Sequence, residues 1–166
     1  TTAAMRKSTD EAKVTRNGGI LPVQAIDGML KSGLIMCERP LVPDQLQPAS
    51  LDLRLGTKAF RVRASFLPGP RRSLAERLEQ LSLHTIDLES GAVLETGCVY
   101  IVPLLESLKL PKGLSAAANP KSSTGRLDIF TRIITDHAAE FDTIADAYEG
   151  PLYAEISPRT FPSLVR

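Results

Sequence analysis

Apolar residues in this sequence come in many short runs, and glycine or proline separates many of those runs. "SLDLRLG" alternates Leu51, Leu53 and Leu55 with Asp52 and Arg54, and "KAFRVRA" repeats the pattern with Phe60 and Val62. A period of two over so short a stretch describes a strand with one face in a core. Further runs follow around 86–88, 92–94, 98–104, 129–134 and 152–156. Helical spacing shows in only two places. "LPVQAIDGMLKSG" sets Val23, Ile26, Met29 and Leu30 on one face and ends on Gly33, suited to a left-handed cap. "PGPRRSLAERLEQLS" places Ser73 and Glu76 at capping-box spacing ahead of a Leu74, Leu78, Leu81 stripe. Many short strands with two brief helices predict an all-β sandwich or barrel and argue against a doubly wound α/β sheet.

At 166 residues and 18.0 kDa, one domain with a real core is expected. Twenty basic against nineteen acidic residues leave a net charge of +1, so no overall basic field invites nucleic acid or an anionic membrane. An anion site must therefore be local. No apolar run has the length of a membrane span, and the opening residues lack the apolar centre of a signal peptide, so a cytoplasmic setting is expected. Residues 1–18 read as a disordered polar leader, its first four preceding Met5 as an addition, and 19–166 as the domain. The end at Arg166, just after an apolar run, suits a truncated chain as well as a natural end. Cys37 and Cys98 form no CxxC pair and are expected as buried free thiols; His84 and His137 form no zinc-ligand pair.

Three stretches carry candidate chemistry. In "NPKSSTGRLDIF", Lys121 and Arg126 bring charge, Ser122, Ser123 and Thr124 bring hydroxyls, and Gly125 admits close backbone approach. Those are the parts of a phosphate cradle, yet no P-loop pattern is present and the stretch alone equally describes an ordinary polar turn. In "GPLYAEISPR", Glu155 sits inside an apolar run, where partial desolvation would suit a carboxylate to shuttle a proton; alternation could equally turn it to solvent. Asp52, on the polar side of "QPASLDLRLG", is an acid in a position where aspartate is a poor strand former.

Taken together and in this order, "QPASLDLRLG", "PKSSTGRLDIFTRIITD" and "GPLYAEISPRTFP" resemble the dUTPase-like superfamily, and most closely its dCTP deaminase branch. The wording is similar to the first half of the longer, two-domain bacterial dCTP deaminases, from about Gly19 to the end. The resemblance implies a mainly β, distorted jelly-roll or β-clip barrel, assembled as a trimer or pseudo-trimer with sites between subunits. It implies hydrolytic deamination of dCTP to dUTP and ammonia, with Mg2+ accompanying the triphosphate and no zinc; the signature of zinc deaminases is missing. Carried over by position, Glu155 is the catalytic glutamate, Ser122 and Arg126 lie beside the reacting water, and Lys121, Ser123 and Gly125 bind phosphate. Ile133 and Thr135 are candidate neighbours of the base edge, and Asp52 a structural residue or a water-mediated metal contact. Two other readings stay open: a dUTPase or bifunctional enzyme making dUMP, for which Asp146 is available, and a non-catalytic nucleotide-binding half.

Overall fold

The computed structural model describes residues 2–7 and 19–165. Its architecture is mainly antiparallel β, as the short alternating runs predicted, with short helices on the outside. The first sheet places β1 (Thr2–Lys7) between β9 (Leu114–Asn119) and β4 (Ser50–Asp52). β11 (Thr143–Ile144) and β3 (Leu46–Gln47) form its edges. The second sheet runs β10 (Ile129–Thr135), β12 (Glu149–Pro158), β8 (Val99–Lys109), β5 (Lys58–Val62) and β6 (Ser82–Asp87), with β2 (Ile35–Cys37) paired to the far end of β8. A short pair joins β13 (Ser163–Val165) to β7 (Ala92–Leu94).

Both expected helices are present. α1 (Val23–Lys31) buries Ile26 and Met29, and the chain turns after it at Gly33 with φ 76°. α2 (Leu74–Leu81) starts on the reciprocal Ser73–Glu76 capping box and buries Leu74 and Leu78. A third element corrects the reading of "SSTGR" as a turn: Ser122–Arg126 forms a single helical turn, α3. Five residues are too few to show the 3.6 period that betrays a helix in sequence.

The leader expectation also needs correction. Thr2–Lys7 is a strand in full register with Leu114–Asn119, and Ala3 and Met5 are buried in the core. Two buried side chains in a polar stretch carry little strand signal of their own, and the partner strand that covers them lies more than a hundred residues away. The remainder of the predicted leader, residues 8–18, lies outside the described residues. Cys37 and Cys98 are free as expected but only half-buried, not enclosed.

The core divides in two across the second sheet. One face carries Val102, Ile133, Ala154 and Ile156 into the main cluster shared with the first sheet. The opposite face carries Ile101, Ile134 and Tyr153 into a smaller cluster with Val62, Leu74, Leu78 and Ala138, roofed by α2. β12 is thus flanked by β10 and β8 and covered on both faces, and from Leu152 to Pro158 every residue is buried. Strands covered on both sides lose the wet face that alternation normally marks.

Candidate functional site

Glu155 sits in the middle of β12, on the face of the smaller cluster, opposite Ile101 on one side and Arg132 on the other. It is 1% exposed, which decides between the two readings its sequence left open. Alternation did turn its side chain away from the main core, but what lies on that side is a second apolar layer and not solvent. A carboxylate enclosed this way needs a compensating charge or hydrogen bonds. Arg132 supplies them: its Nη2 and Nε donate to Oε1 at 2.7 and 3.2 Å. The other oxygen, Oε2, is buried and has no hydrogen-bond partner among the described residues.

Arg132 itself is held on three sides. Its Nη2 also donates to Ser65 Oγ at 2.7 Å. Its guanidinium carbon lies 3.6 Å from the centre of the Phe141 ring and 4.8 Å from that of Phe130. A planar cation against aromatic faces gains electrostatically from the ring quadrupoles and keeps few rotamers. Asp142 closes this corner: its Oδ1 accepts from Ile133 N–H at 2.7 Å, and its own N–H donates to Ile133 C=O. Burial pushes the Asp142 carboxyl above the usual carboxylate range, an effect that the Ile133 N–H and then Arg132 oppose and the charge of Glu155 reinforces.

The "KSSTGR" stretch lies at the other end of β10. Lys121 precedes α3 and ion-pairs with Asp52 Oδ2, while Asp52 Oδ1 accepts from Thr2 Oγ1 at 2.9 Å. Asp52 thus has both oxygens engaged by protein groups and acts on this region through Lys121. After α3, Asp128 turns the chain with φ 52° and is tied to the end of β12 by the Arg159 N–H and the Thr160 hydroxyl. Ser122, Ser123, Gly125 and Arg126 are exposed on the resulting projection. At Gly125 an added Cβ would meet nothing within 4 Å, and its φ is not positive, so the chain's own backbone does not require glycine there.

A groove of about 340 Å³ connects the two ends, lined among others by Gly125, Asp128, Phe130, Arg132, Asp142 and Arg159. The structure therefore joins Lys121 to Asp52 and sets Gly125 in one groove with Arg132, the partner of Glu155. It does not bring Ser122 or Arg126 into hydrogen-bonding contact with Glu155 among the described residues. Ile133 and Thr135 point into buried surroundings, and the Ile133 main chain is engaged by Asp142. Asp146 lies apart, accepting from Gly113 N–H at 2.7 Å. Among the described residues, no three His, Cys, Asp or Glu side chains converge as a cation cage.

Sequence reasoning missed Arg132 and did not assign Asp142 to this corner. A signal for the first existed: Arg132 interrupts the apolar run Ile129–Ile134 as Glu155 interrupts its own, and two opposite charges in two buried strands invite pairing.

Comparison with known proteins identifies the family of the fold. Residues 17–166 match the family model of the 2'-deoxycytidine 5'-triphosphate deaminase (DCD) N-terminal domain. The fold superposes on the crystal structure of 2'-deoxycytidine 5'-triphosphate deaminase from Agrobacterium tumefaciens with a TM-score of 0.88 and 62% identity, covering 91% of this chain and 45% of that one. A dCTP deaminase from Haemophilus ducreyi is 30% identical over 115 residues, 65% of this chain and 59% of its own length. A dUMP-forming dCTP deaminase from Methanosphaera stadtmanae is 27% identical over 140 residues, 83% of this chain and 68% of its own. The chain thus spans about half the length of the Agrobacterium protein and somewhat more of the Haemophilus one.

Proposed function

The chain belongs to the dCTP deaminase family through its N-terminal domain, and we propose that it carries the hydrolytic deamination of dCTP to dUTP and ammonia. The observation that supports this reading best is Glu155: enclosed, ion-paired through one oxygen, and with the second oxygen free of hydrogen-bond partners among the described residues. In the proposed reaction Oε2 takes a proton from water as the water oxygen bonds to the ring carbon bearing the amino group. Glu155 passes that proton to the ring nitrogen, then takes the remaining proton of the new hydroxyl and hands it to the amine, so that the carbonyl forms as the carbon–nitrogen bond breaks and ammonia leaves. Water enters and ammonia departs, so one carboxylate serves as base and then acid.

Lys121, with the Ser122 and Ser123 hydroxyls and the main chain at Gly125, would hold the triphosphate, and Mg2+ would arrive with the nucleotide to screen its charge. Ser122 would orient the water and Arg126 would stabilise negative charge near it. Their exposure on α3, out of contact with Glu155, favours a site completed between copies or halves of the protein, a trimer or pseudo-trimer. A cytoplasmic nucleotide pool is the expected setting; among the described residues no helix is long and apolar enough to cross a membrane.

The test is release of ammonia from dCTP with Mg2+, with dUTP and dUMP resolved by chromatography. Glu155→Gln should lower turnover by about 10²–10⁴-fold while dCTP still binds. Full turnover in that variant would refute the mechanism, and dUMP with pyrophosphate as the first products would transfer the reading to the dUMP-forming reaction.

A further inference from the structure

We propose that Arg132 is a positioning residue for the reaction, fixing which oxygen of Glu155 meets the water. The inference rests on the deaminase reading of Glu155 given above. Arg132 and Glu155 are direct partners in the β10–β12 register, so the strand pairing itself delivers the guanidinium to the carboxylate. Two N–H groups of Arg132 converge on Oε1 and none on Oε2. The third contact, to Ser65 Oγ, and the rings of Phe141 and Phe130 fix the guanidinium plane. With one oxygen held by two N–H groups, the plane of the Glu155 carboxylate is fixed, because intermediate rotations about its last torsion would break both hydrogen bonds and a half-turn only exchanges two equivalent oxygens.

The proton from water is therefore directed to Oε2, and Oε1 keeps its two hydrogen bonds while the carboxyl group is protonated. As the O–H bond of water breaks and its oxygen bonds to the ring carbon, the charge on Glu155 falls, and the Arg132 contact holds the acid in place to pass this proton to the ring nitrogen and then the hydroxyl proton to the amine. Lysine offers a point charge without the fork or the flat face, so it reproduces the charge but not the geometry. Phe141 is part of the same device one step further out, since its ring packs on the Arg132 guanidinium.

The experiment is a set of steady-state and binding measurements with dCTP and Mg2+ on the complete protein in its native assembly, comparing Arg132→Lys, Phe141→Leu, Glu155→Gln and the double variant Arg132→Lys/Glu155→Gln. Phe141→Leu leaves the ion pair intact and guards against loss of fold in the arginine variant. Arg132→Lys is expected to lower kcat by roughly 10- to 100-fold, the range a small misplacement of a catalytic group produces, with dCTP affinity within about 3-fold. Phe141→Leu should lower kcat in the same sense by a smaller factor, and the double variant should be no slower than Glu155→Gln alone, because Arg132 acts through Glu155. Unchanged kcat in Arg132→Lys, loss of dCTP binding in place of turnover, or a further slowing in the double variant would each overturn the positioning role. Deamination that survives Glu155→Gln would overturn the underlying reading, which separates the two failures.

Discussion

Glu106 offers the sharpest test of the energetics of this fold. It sits on β8 with a fully buried side chain and accepts three hydrogen bonds, each 2.8 Å, from Gln45 Nε2, Arg54 N–H and Arg54 Nε. Arg54 also donates to the carbonyls of Pro40 and Arg39 at 2.7 and 2.9 Å, so one carboxylate organises the whole 39–54 segment. Gln45 in turn bonds the Asp52 main chain in both directions, which links this network to the acid that holds Lys121. Replacing Glu106 by methionine leaves the Arg54 guanidinium, only 17% exposed, without its counter-charge and the Arg54 N–H without an acceptor. Removing one member of a buried pair costs about 3–5 kcal/mol. For a domain of this size that corresponds to a fall in Tm of about 6–20 °C. Urea denaturation of Glu106→Met, Arg54→Met and the double variant measures it. The double variant should cost clearly less than the sum of the singles, because no buried charge is then left alone. A loss below about 1 kcal/mol for Glu106→Met, or strict additivity, would refute the argument.

Two further outcomes follow from single contacts. Gly56 donates its N–H to Pro103 C=O at 2.7 Å, and a Cβ there would come within 2.6 Å of the same oxygen. Gly56→Ala must displace β8 or break that bond, and is expected to destabilise by about 1–3 kcal/mol in thermal melts; an unchanged Tm would contradict it. Burial, with the charge of Asp136 second, pushes the Tyr153 phenol up to about 12, and burial also raises Tyr100 and Tyr148. A raised folded value means the neutral phenol is favoured by the fold, so this stability is whole below an unfolded value of about 10 and is lost as pH rises from there towards 12. Phenolate absorbance rising near pH 10 while circular dichroism stays native would refute the enclosure of these rings.

Local patterns announce α1, α2 and the strands β4 to β8, β10 and β12, but not β1, β2, β3, β9, β11 or β13. The Ser73–Glu76 box and the glycine after α1 are local signals whose physics acts within a few residues, and each produced the feature it predicts, whereas the Leu51–Leu55 alternation produced a strand only over Ser50–Asp52 and an isolated bridge from Leu55 to Leu104. The motif resemblance likewise placed the chain in its family, because the residues that define it are contiguous. Tertiary structure decided what those residues face. Whether Glu155 meets water or an apolar layer depends on α2 and the Val62, Ile101 and Tyr153 cluster roofing that side of β12, contacts assembled from segments scattered along the chain. Arg132 became its partner only through the register of β10 against β12, and Met5 became core only through a strand pairing across the whole sequence. Burial and pairing are sums over neighbours that are distant in the chain, so a local pattern can name a residue's two possible faces but not what covers each of them.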